Sequence, residues 1–225
     1  MSCTTTIMYD FQKMALMPDA ASTILRMMMA CNDMQTANEA LSYWKEKHVQ
    51  QPTGRARGAG MYFIRLQISH LHEALSIIDS IKKDSYLSNL LSRCDSRTQK
   101  AFDQLSEAKT NRTHISIMAK LRNNLGFHYL DKPGGEKWIK KALNERAEGD
   151  GRHSVVTRGM TCYDWHFKPG DDISNDITVK EILGISKIDL DNSEKDKILQ
   201  ELHDIFILFL DFAGDFIWKF CEQSR

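Results

Sequence analysis

The sequence has no excess of either charge: lysine plus arginine number 30, and so do aspartate plus glutamate. No overall field therefore draws the chain onto nucleic acid, and any such contact must be local. Paired cysteines are lacking as well. Cys3, Cys31, Cys94, Cys162 and Cys221 are odd in number, widely scattered and without a C-x-x-C spacing, which argues against a disulfide framework and gives no zinc or redox motif. Reduced thiols in a cytoplasmic protein are the expectation. The opening residues MSCTTTIMYDFQKM carry neither the basic flank nor the apolar run of a secretory leader. Long hydrophobic runs are also missing. Residues 205–220 come nearest, but Asp211, Asp215 and Lys219 interrupt a stretch already too short to span a bilayer, so no membrane partner is expected.

Several catalytic signatures are absent. GRARGAG at 54–60 has no strand signal before it and no Lys-Ser/Thr after it, so it is not a nucleotide phosphate loop. No Ser-His-Asp or Cys-His-Asn set can be assembled from spacing. His70 and His72 would point about 200° apart on a helix, which leaves no shared metal ion. Neither metal nor cofactor is expected. Internal repeats, heptads and low-complexity tracts are missing too.

What the sequence does have is helical periodicity in 225 residues, 42% of them hydrophobic, enough for a proper core. From Asp19 to about His48, Ile24, Leu25, Met28, Ala37, Leu41 and Trp44 recur at helical spacing, and the Pro and Gly of QQPTGRARGAG should end that helix. The run Arg26-Met27-Met28-Met29 suits an irregular core or interface. Next comes a long core helix, MYFIRLQISHLHEALSIIDSIKK, with Phe63, Leu66, Leu71, Leu75 and Ile78 near one stripe. A shorter helix over 96–109 has Ser96 as expected N-cap, and Asn111 or Thr113 should cap HISIMAKLRNNLGFHYL. Asp131 to Gly135 should stop this fourth helix, and a solvated one should follow from Glu136 to Glu148.

Beyond Gly149, β-branched and aromatic residues on either side of Arg158-Gly159 predict a hairpin. Thr178 should cap a short helix, VKEIL. Ser193 and Glu194 should open a long helix carrying Ile198, Leu202, Ile205, Phe209, Phe212, Phe216 and Phe220. The expected architecture is all-α: an up-and-down bundle of four or five helices over 1–147, a hairpin and linker at 148–177, and C-terminal helices at 178–225. Those last helices should pack on the bundle or at a dimer interface.

In KLRNNLGFHYLDK, Arg122, Asn123 and His128 resemble the R-x(4-6)-H motif of the HEPN superfamily, in which a polar residue often follows the arginine. The helix before it, with Arg65, His70 and Glu73 in FIRLQISHLHEAL, is similar to helices preceding R-N-x-x-x-F-H-Y in bacterial HEPN-like proteins. The resemblance covers at most residues 20–145. It implies a helical bundle, a homodimer with both motifs in one cleft, and metal-independent RNA cleavage, in which a ribose 2′-OH attacks the adjacent phosphate. It also implies RNA as substrate and, for a toxin or defence component, an antitoxin or regulatory protein as partner. A histidine near its unperturbed pKa of about 6.5 moves protons at neutral pH, and an arginine fork holds phosphate oxygens. His128 and Arg122 would take those roles, Asn123 would orient phosphate or ring, and Tyr129 would stack on a base or pack. Arg65 and Glu73 would support the site.

On a regular helix residues 122 and 128 stand about 120° apart. A long arginine side chain, a distorted helix end at Gly126, or the approach of a second copy would be needed to join them. Arg55 and Arg57 form a candidate phosphate-contacting patch, as do Lys137, Lys140, Lys141 and Arg146, although such runs are usually solvated faces. Two further readings stay open. Arg122 suits a structural pairing with a carboxylate such as Glu73, and His128 suits a helix C-terminus, where positive charge is favoured. The second functional class is accordingly a non-catalytic helical module that binds a partner protein or nucleotide.

Overall fold

Two long helices set the frame. The computed structural model describes residues 6, 11–47, 54–126, 135–149, 154–158, 160, 166–184 and 193–223, with backbone alone at 47, 54–58, 126, 135 and 193–196. After a short α1 (Phe11–Ala15), α2 (Pro18–Lys47) and α3 (Gly54–Lys83) each run 30 residues, about 45 Å at the α-helical rise. A connection as short as 48–53 reaches at most about 20 Å, so α3 must return along α2. The side-chain amide of Gln67 donates to Asn38 Oδ1 at 3.0 Å across the pair.

Helix α3 starts at Gly54, not after the glycine-rich stretch expected to be a loop. An interior glycine costs a helix only about 1 kcal/mol against alanine, whereas proline costs about 3. Pro52 is therefore the stronger breaker, and 54–60 joins the helix. Arg55 and Arg57 accordingly sit on its first turns rather than in a phosphate-contacting loop.

Side-chain caps punctuate the chain beyond α3. Asp84 accepts from Leu87 N–H at 3.0 Å and opens α4 (Ser85–Ser92), a helix absent from the expected element order. Asp95, not Ser96, caps α5 (Ser96–Ala108), accepting from Thr98 N–H at 2.8 Å; a carboxylate there also meets the positive end of the helix dipole. Asn111 accepts from the amides of Thr113 and His114 and opens α6 (Arg112–Leu121). Arg122–Gly126 then continues as a π-helical turn.

Helix α7 (Gly135–Glu148) precedes two short antiparallel strands, β1 (Val156–Thr157) and β2 (His166–Phe167), which pair Val156 with Phe167 and Thr157 with His166. A hairpin is present, but its register places the connection at 158–165 instead of a tight turn at Arg158-Gly159. Helix α8 (Lys168–Asp176) follows directly, and Ile177–Ile182 forms a second π-helical turn. Thr178 lies inside that turn and does not cap it. Helix α9 (Ser193–Gln223) completes the all-α fold.

The core is one cluster centred on α3, which touches α2, α4, α5, α6, α8, α9 and the first π-turn. Phe209, Phe212, Phe216 and Phe220 of α9 are fully buried at helical spacing. Phe212 packs on Phe102 with ring centroids 5.5 Å apart, and Phe220 meets Tyr86 edge-on at 6.0 Å. Each such burial removes aromatic surface worth about 1.5–3 kcal/mol. Of the stripe expected on α2, Ile24, Ala37 and Leu41 are buried and Met28 packs partly, while Leu25 faces solvent. No helix among the described residues is long and apolar enough to cross a membrane.

Candidate functional site

The Arg122 region is built by a break in helical register. Asn124 donates its side-chain amide to the Lys120 carbonyl at 2.9 Å, the acceptor that its own backbone N–H would use in a regular α-helix. With that acceptor occupied and Gly126 close behind, the chain widens into the π-turn at Arg122. Such turns occur mostly as single insertions and recur at functional sites.

Glu73 of α3 meets Arg122 at the start of this turn. Arg122 Nε lies 2.8 Å from Glu73 Oε1 without hydrogen-bond alignment, so the attraction is coulombic. On the other side Arg122 Nη1 donates to Asn123 Oδ1 at 2.8 Å. The guanidinium is about one-third exposed, and its Nη2 makes no hydrogen bond to the described residues. One edge of the fork is hydrogen-bonded and another lies beside a carboxylate. Glu73 is half-exposed, so the pair is worth at most about 1 kcal/mol to folding. His72 sits with Nδ1 buried and 3.7 Å from Glu73, too far for a hydrogen bond.

Arg122, Asn123 and Glu73 are thus brought together. Arg65 is not part of the group: eight residues before Glu73, it lies about 12 Å away along α3. It is buried and donates from Nη1 to Asn175 Oδ1 of α8 at 3.2 Å. Burial pushes its pKa below the usual arginine range, partly offset by the charge of Asp171. Arg65 therefore anchors α8 to α3. His128 and Tyr129 lie outside the described residues.

The basic residues of α7 are largely neutralised. Lys140 pairs with Glu136 at 2.6 Å and Lys141 with Glu181 at 2.8 Å, while Arg146 engages both Asp172 and Asp176. Only Lys137, of the cations expected there, is exposed without an ion pair among the described residues. The patch is mainly a set of clamps joining α7 to α8 and the second π-turn. Asp172 is the hub: Lys168 reaches it at 2.6 Å and Ser154 at 3.0 Å. Burial pushes its carboxyl up, but those hydrogen bonds and the Arg146 charge prevail and hold it below the usual carboxylate range.

No family model, curated protein or solved structure matches this chain. Its site must be judged on its own residues. Sequence reasoning reached Arg122, Asn123 and Glu73 but missed Asn124, whose signal was available: asparagine next to a helix end competes for the carbonyl four residues back. It also missed Asn175, which no periodicity marks, because its role depends on how α8 docks.

Proposed function

We propose that this chain is a metal-independent endoribonuclease of HEPN type, with Arg122 holding the scissile phosphate and His128 transferring the proton. The observation that carries this reading is the Arg122 guanidinium, bonded to Asn123 and beside Glu73, with no hydrogen bond from Nη2 to the described residues. A fork so placed suits a phosphate that gains negative charge in the transition state. In the reaction the ribose 2′-OH attacks the adjacent phosphorus, the P–O5′ bond breaks, and the products are a 2′,3′-cyclic phosphate and a 5′-OH. His128 takes the 2′-OH proton or returns one to the leaving oxygen. Asn123, bonded to Arg122, sets the angle of the fork. RNA is the substrate and a second copy of the chain the partner. A toxin or defence role with a restraining antitoxin would belong to this reading.

The test is cleavage of RNA in EDTA by the purified protein beside His128→Ala. The variant should retain its circular dichroism and lose cleavage by about 10²–10⁴-fold. Equal cutting by both proteins would remove His128 from the chemistry. The Arg122–Glu73 pair also favours a second reading, a purely structural arginine in a non-catalytic binding module. That reading gains if the folded wild type cuts no RNA.

A further inference from the structure

A cavity of about 360 Å³ lies between α2, α3 and α9, away from the Arg122 region. Each helix contributes one face at i, i+3, i+4, i+7 spacing: 38–45 of α2, 64–71 of α3 and 199–206 of α9. Such a three-helix junction would ordinarily close into core, since protein interiors leave few voids larger than a water molecule. Here it stays open, with room for roughly a dozen water-sized groups.

Its lining is sorted by depth. Leu41, Ile68, Leu71, Leu202 and Phe206 are buried and form an apolar floor. Ser42, Lys45 and His203 are exposed and form the rim. His203 stacks on Phe206, rings 11° apart in tilt and 6.3 Å between centroids, which fixes the imidazole at the edge. Lys45 makes no ion pair among the described residues, and none of the lining residues is acidic. Between floor and rim, Gln67 donates to Asn38 Oδ1, which leaves the Asn38 amide hydrogens available.

We infer that this cavity binds a small amphipathic anion, a straight-chain monocarboxylate of about ten carbons, whose dozen non-hydrogen atoms match the space. The hydrocarbon lies on the leucine, isoleucine and phenylalanine floor, and the carboxylate meets Lys45, His203 and the Asn38 amide at the rim. Three apolar walls with a few convergent polar groups form the common pattern of a ligand site, and the uncompensated lysine sets the sign of the ligand's charge. The inference is independent of the ribonuclease proposal, because Glu73 and Leu71 point about 200° apart on α3.

The experiment is calorimetric titration of the full chain with decanoate below its micellar range. Decyltrimethylammonium, of equal chain length and opposite charge, serves as control, and Lys45→Glu and Ser42→Trp are run in parallel. Both variants change exposed residues and leave the core intact, which circular dichroism verifies. Saturable decanoate binding by the wild type, weakened at least tenfold by each substitution and not matched by the ammonium compound, is the expected result. Absence of saturable binding, equal affinity in all three proteins, or equally tight binding of the cation would overturn the inference.

Discussion

The π-turns at Arg122–Gly126 and Ile177–Ile182 begin alike and are held differently. In each, a side chain takes the carbonyl four residues back: Asn124 bonds Lys120, and Thr178 bonds Ser174 at 2.7 Å. The ladder then re-registers, as when Leu183 N–H reaches the Thr178 carbonyl five residues back. The second turn is held by packing, with Ile177, Thr178 and Ile182 buried against the core. The first is only half-buried and presents Arg122, Asn123 and Asn124, side chains that hydrophobic burial does not reward. One turn is explained by the interior it completes. The other packs on the core through Leu125 and leaves its polar groups partly exposed, which is why the functional proposal rests on Arg122.

That contrast is open to attack by substitution. Ile177→Ala should cost about 2–5 kcal/mol in urea unfolding, because it empties a fully buried position in the packed turn. A cost under about 1 kcal/mol would mean that packing does not hold this turn. Asp172→Asn, in the clamp beside it, should cost about 1–3 kcal/mol through the lost charge-assisted hydrogen bond to Lys168 and ion pair with Arg146. Since the folded carboxyl lies below its usual range, its contribution is present above about pH 4 and disappears as pH falls through the folded pKa. Wild-type stability should therefore fall more steeply than that of the variant across this acid range. Arg122→Ala should have the smallest effect on unfolding, at most about 1 kcal/mol, because its partner Glu73 is half-exposed. A cost of several kcal/mol would make Arg122 a structural residue and dissolve the contrast.

Local chemistry made much of the fold legible in the sequence. Helical spacing located α3 and α9, including the phenylalanines from Phe209 to Phe220, and Asn111 was among the expected caps. Where expectation failed, a second local rule or a tertiary contact outweighed the first. The glycines at 54–60 are too weak a breaker to end a helix, and Asp95 outcompetes its neighbour Ser96 as a cap. Helices α4 and α8 are short, eight and nine residues, and two turns offer few positions from which to read a period. At the candidate site, the pairing of Glu73 with Arg122 was anticipated as one way of satisfying the arginine. A distorted helix end at Gly126 was also among the expectations, but not its form as a π-turn with Asn124 bonded to the Lys120 carbonyl, which periodicity does not report. The cavity beneath Lys45 left no mark in the sequence, since its three faces look like ordinary core stripes until their helices are brought together.

The central claim is that Arg122 acts on phosphate, and its most direct test compares wild type and Arg122→Ala on RNA in EDTA, with fragment ends analysed for cyclic phosphate. The predicted result is metal-independent cutting that leaves 2′,3′-cyclic phosphate ends and falls by about 10²–10³-fold in a variant of near-normal stability. Equal rates in the two folded proteins, or no cleavage by either, would contradict it.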